Sequence, residues 1–116
     1  MTTAVRRSAL AIALLLCAGA SVRWAMRPAV EIAIDAAGRA GVVDAFGRRR
    51  ALPDTLVIAR GGRPRIRITN AAPRAHIVGL FRAPADSTVE FALPGPGRYS
   101  GQCTVHPRAQ LTLLVE

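Results

Sequence analysis

The sequence predicts an all-β domain, a sandwich of seven or eight short strands, following an N-terminal signal or anchor segment. Three observations predict it. Apolar residues recur with period two, as in Val30, Ile32 and Ile34 and again in Ile66 and Ile68. Glycine and proline punctuate the chain closely, with 10 and 8 of them in 116 residues. After the N-terminal segment no stretch carries the 3.6-residue apolar period of a helix.

The N-terminus is laid out as an export signal. Arg6 and Arg7 form a basic start, Ala9 to Cys17 an apolar core, and Ala18-Gly-Ala20 a cleavage site before Ser21. The apolar run from Ala9 to Val22 is 14 residues, against the roughly 20 that span a bilayer. Residues 1–20 are therefore expected to be a signal peptide, with an uncleaved anchor to about residue 26 as the alternative. Residues 27–116 are expected to form the folded domain, in the periplasm or otherwise exported, touching a membrane only through an uncleaved N-terminal segment.

Within that domain, Val30, Ile32 and Ile34 make a half-buried strand. Gly38 to Arg50 is rich in Gly and Arg and reads as a loop or irregular hairpin. Leu56-Val-Ile58 and Arg65 to Thr69 are two strands separated by a turn, Arg60-Gly-Gly-Arg-Pro64. Ile66 and Ile68 face the core, and Arg65 and Arg67 the solvent. His76 to Phe81 reads as one short apolar strand, and Thr88 to Leu93 as another with Val89, Phe91 and Leu93 on one face. Pro94-Gly-Pro-Gly97 forces a turn before Arg98 to Cys103. Pro107 breaks the chain, and Leu111 to Val115 is the last strand. No internal repeat stands out.

The net charge is +9, and every basic residue is an arginine. Without Arg6 and Arg7, 14 arginines face 7 acids, so anionic partners are favoured. Nucleic acid is disfavoured by the export signal and the scarcity of aromatics for stacking bases, and no nucleic-acid partner is expected. The expected state is a monomer.

The soft ligands are few. If cleavage removes residues 1–20, Cys17 leaves with them, and Cys103 has no partner for an intramolecular disulfide. An exported lone thiol is accounted for by metal ligation, or by simple burial as a small apolar residue. His76 and His106 are the chain's two histidines, and Cys103-Thr-Val-His106 aims two donors from one loop. Two imidazoles and a thiolate are the trigonal set of a type 1 copper site. Structural zinc wants a fourth ligand, for which Asp86 or Glu90 would have to serve without any spacing that places them. A covalent haem needs C-x-x-C-H, which is absent. No orienting group marks a cysteine nucleophile, and no enzyme activity is expected.

From Leu52 to Glu116 the chain resembles the cupredoxins, most closely the amicyanin and pseudoazurin type. The resembling pieces are Leu56-Val-Ile-Ala-Arg-Gly-Gly62, Ile66-Arg-Ile-Thr-Asn70, Pro73-Arg-Ala-His76-Ile-Val78, Pro94-Gly-Pro-Gly-Arg-Tyr99 and Cys103-Thr-Val-His-Pro107 through Leu114-Val-Glu116. The resemblance implies a Greek-key β-sandwich with one copper ion at a pole, ligated by His76, Cys103 and His106. It implies an electron carrier that exchanges single electrons with a redox protein, and Asn70 on the strand leading into the first histidine loop. It also exposes a departure: where such proteins place an axial methionine, this chain has Ala109. Gln110 is the candidate weak axial ligand, one position off the expected one. Loss of a soft axial donor destabilises Cu(II) more than Cu(I), so a three-coordinate site carries a raised potential. The alternatives are a copper-delivery module and an interaction domain with a degenerate site.

Overall fold

The computed structural model describes residues 27–59 and 65–116. The expected signal or anchor segment, within residues 1–26, and the expected turn at 60–64 lie outside the described residues. The rest is all-β, with ten strands: β1 Val30–Ile34, β2 Ala40–Val43, β3 Arg49–Ala51, β4 Thr55–Ile58, β5 Arg65–Asn70, β6 His76–Val78, β7 Phe81–Ala83, β8 Ser87–Ala92, β9 Gly97–Gln102 and β10 Gln110–Val115.

One sheet has the order β3-β2-β1-β5-β8, and the second β4-β10-β9, with the β6-β7 hairpin attached to β9 by a Val78–Cys103 bridge. Both sheets are mixed. β1 runs parallel to β5, pairing Ile32 with Ile68, and β4 runs parallel to β10, pairing Leu56 with Leu113. The two strands either side of residues 60–64 are thus not hairpin mates, because β4 and β5 belong to opposite layers. Ile32, Ile34, Ile66 and Ile68 of the first sheet pack with Ile58, Leu111 and Leu113 of the second in one buried cluster. Each contributes about 1.5–3 kcal/mol by leaving water. The alternation places Arg65 and Arg67 outward, where both pair with Glu90 of β8 at 3.3 and 2.9 Å.

Ten strands stand where seven or eight were expected, for two reasons. The segment His76 to Phe81 is a hairpin and not one strand. Gly79 takes φ +60 as the first of two loop residues, the backbone that a II′ turn demands and that glycine adopts without strain. The arginine-rich segment before Leu52 is a regular hairpin whose second strand, β3, is exposed along its whole length. It has no apolar residue larger than Ala51 to announce it, as suits a sheet edge.

A short repeat also emerges. Asp35-Ala-Ala-Gly38-Arg39 and Asp44-Ala-Phe-Gly47-Arg48 are the β1–β2 and β2–β3 turns. In each the aspartate carboxylate accepts two backbone N–H groups, of Ala37 and Arg39 or of Phe46 and Arg48. In each the glycine sits at positive φ, +80 and +75. This is a three-residue hairpin loop closed by a left-handed glycine, used twice. The Arg39 N–H, with Arg49 nearby, holds the Asp35 carboxyl below its usual range.

The two poles of the sandwich differ. The β1–β2 turn lies over the His76 ring, since a Cβ on Gly38 would sit 3.5 Å from its Nε2. β1 runs towards that pole, so the described chain begins at the other one, beside the β2–β3 turn and its exposed Phe46. A groove of about 750 Å³ lies at this far pole between Arg27, Val42, Val57 and Arg67. None of the candidate ligands lines it.

Candidate metal centre

His76 opens β6, where the loop from β5 is pinned by Asn70. The buried Asn70 amide donates to the carbonyls of Arg74, Ala83 and Pro84 at 2.9, 3.1 and 3.1 Å, and its oxygen accepts the Ala72 N–H. One side chain thereby fastens the loop entering His76 to the end of β7.

Cys103 and His106 stand on the loop from β9 to β10. That loop is closed by Cys103 N–H to Ala109 C=O (2.9 Å) and Ala109 N–H to His106 C=O (3.0 Å), and Ala109 takes φ +57 to make the return. It is fixed to β6 through Thr104. The Thr104 N–H donates to Ile77 C=O, and its hydroxyl accepts the Ile77 N–H at 3.0 Å while lying 2.9 Å from His76 Nδ1. His76 and the cysteine loop are therefore one hydrogen-bonded unit.

All three residues are buried. The two histidine rings are tied differently. His76 Nδ1 is engaged by Thr104, and its Nε2 is buried with no hydrogen-bond partner. A buried ring nitrogen left unpaired costs about 1–3 kcal/mol unless something binds it. His106 Nδ1 accepts the Arg108 N–H at 3.0 Å, so the ring proton resides on Nε2, which lies 3.0 Å from Asp54 Oδ1. The second Asp54 oxygen is 3.2 Å from Arg108 Nη1, which closes the ring of contacts.

Cys103 is a free thiol in an apolar setting, and burial pushes it above the ordinary value. The backbone N–H groups of Val105, His106 and Gly79 act on its sulfur in the opposite sense. A folded value above the unfolded one means that the metal-free protein loses stability as pH rises through the folded value. Urea midpoints taken between neutral pH and about pH 10 should therefore fall for the metal-free wild type. The alkaline part of that decline should be absent in Cys103→Ala.

The donors fit copper in kind: two imidazoles, of which His76 has its Nε2 unpartnered, and one buried thiol sulfur. Among the described residues, no three His, Cys, Asp or Glu side chains stand within reach of one ion. Metal entry therefore requires the rings to adjust, and His106 to release the Arg108 N–H. Gln110 is exposed on the first residue of β10, opposite the buried Leu111, and is not brought to the three. Asp86 and Glu90 are also elsewhere, on the turn before β8 and on β8 itself. Sequence reasoning missed Asp54, which only the fold brings to His106. It also missed Thr104, whose place between the cysteine and histidine was the available signal.

No protein-family model matches the chain, and no curated protein matches it. Among solved structures it is similar to a purple cupredoxin from Nitrosopumilus maritimus. The identity is 21%, over 74% of this chain and 98% of that one, with a TM-score of 0.43. The amicyanin and pseudoazurin subtype is not addressed by that likeness.

Proposed function

We propose that this chain is an exported copper protein that carries single electrons and is not an enzyme. Copper would be held by His76 Nε2, His106 Nδ1 and the Cys103 thiolate. The single observation that carries this reading is the buried, unpartnered Nε2 of His76, whose ring the Thr104 hydroxyl ties to the loop of the buried Cys103. Bound copper supplies a one-electron couple. The chain's own residues orient the donors and exclude water.

The partner would be a redox protein with an acidic docking surface. Leu80 and Ile77 are exposed on the hairpin that carries His76, and Arg74, Arg82 and Arg108 are exposed around them. Apolar contact ringed by positive charge suits reversible docking, with association steered by the field. The N-terminal apolar segment supports export.

A second reading, copper storage or delivery, is favoured by one observation. The His106 Nδ1 lone pair is already taken by Arg108 N–H, so loading and unloading move ligands. Fast electron exchange wants ligands that stay put; handover does not.

Titrating the metal-free domain with Cu(II) tests both readings. An intense thiolate-to-copper band with narrow hyperfine splitting, lost in Cys103→Ser, supports the electron carrier. Voltammetry should then give a potential above those of methionine-ligated relatives, since neither Ala109 nor the exposed Gln110 supplies a soft axial donor. Colourless protein that nonetheless binds Cu(I) tightly supports delivery. Failure to bind either ion rejects both.

A further inference from the structure

Asp54 lies at the foot of β4, far in sequence from the histidine loop, and serves no core. Its backbone is fixed by the Thr112 N–H, which donates to its carbonyl at 3.0 Å. Its side chain joins two residues of that loop, His106 through Nε2 at 3.0 Å and Arg108 through Nη1 at 3.2 Å. The His106 side chain is 3% exposed, while that of Asp54 is 58% exposed. The carboxylate thus reaches in from solvent to a buried ring.

We propose that Asp54 is a positioning residue for His106, holding the ring by its Nε2–H so that the Nδ1 lone pair stays turned onto the loop that carries Cys103. The inference rests on the copper reading for its purpose, and on the hydrogen bonds alone for its geometry. A backbone N–H can only donate, so the Arg108 N–H marks Nδ1 as the acceptor and Nε2 as the protonated nitrogen. A carboxylate on the far nitrogen of a ligating imidazole fixes its orientation and raises its basicity. Here the carboxylate comes from β4, in the sheet layer that also holds β10, so the ring is referenced to the rigid sandwich and not only to its own loop. Arg108 holds the second carboxylate oxygen and keeps Asp54 facing the ring.

The test uses the whole domain as wild type, Asp54→Ala and Asp54→Asn, with two readouts. Proton NMR of the metal-free protein should show a slowly exchanging, downfield Nε2–H of His106 in the wild type. That proton should vanish into solvent exchange in Asp54→Ala and persist in Asp54→Asn, whose amide oxygen still accepts. Competition with a chromogenic chelator for Cu(I) should show about a 10- to 100-fold loss of affinity in Asp54→Ala, with partial rescue by Asp54→Asn. Unchanged or tighter Cu(I) binding in Asp54→Ala, or a protected Nε2–H in that variant, would overturn the proposal. If the wild type binds no Cu(I) while the protected proton still depends on Asp54, the positioning inference stands and the copper reading fails.

Discussion

Asn70→Ala should lower the stability of the metal-free domain by about 3–4 kcal/mol, read as a shift of the urea midpoint at constant slope. The amide is 1% exposed and makes hydrogen bonds to three carbonyls and one N–H. Alanine leaves those backbone groups in place without partners and adds a cavity. Each buried group stranded costs about 1–3 kcal/mol, partly relieved where Arg74 and Pro84 can reach water. Against a total stability of roughly 5–15 kcal/mol this is a large fraction. The loss should be local as well as global, because this side chain ties the loop that enters His76 to the end of β7. Amide exchange at Ala75 to Ile77 should accelerate more than exchange in β1. Asn70→Asp should also destabilise, since a carboxylate cannot donate to the three carbonyls. Asn70→Ala with a midpoint close to wild type would show that the loop is held by other means.

Gly101→Ala should cost about 2–3 kcal/mol and disturb the candidate centre itself. A Cβ at this position would lie 2.7 Å from both the carbonyl carbon and the oxygen of Gly79. Those are backbone atoms of a two-residue turn, so no side chain can swing aside. The β6-β7 hairpin must then move off β9, against the Gly79 N–H to Gln102 C=O bond of 2.9 Å and the Val78–Cys103 bridge. Thr104 would lose register with Ile77 and the His76 ring. The expected outcome is lower stability together with faster reaction of the Cys103 thiol with a disulfide reagent at neutral pH. A variant as stable as wild type, with an equally protected thiol, would contradict the close approach.

Much of this was legible in the sequence, and the limits have physical causes. Strands buried on one face declare themselves by alternation, as Val30-Ile32-Ile34 and Ile66-Ile68 did. Edge strands do not, because nothing about Arg49-Arg-Ala51 needs burying. The hairpin at Gly79 lay hidden inside an apolar run, with one glycine as its only mark. Strand partnership is beyond local pattern altogether: the parallel pairings of β1 with β5 and of β4 with β10 are set by packing between distant segments. In the candidate centre, scarcity made the donors visible, since the domain holds two histidines and one cysteine. What orients them was not visible. Asp54 acquires meaning only when β4 is laid beside β10, and Thr104 only when its hydroxyl meets β6.

The opposition of the two poles bears on how such a molecule would be presented. β1 starts at one end of the sandwich, and the His76 ring sits under the turn at the other. Any tether joined ahead of Arg27 would therefore meet the domain at the pole opposite His76. The loops that carry His76, Cys103 and His106 would stand a full strand length away from it, and a leash on the N-terminus would never have to pass them.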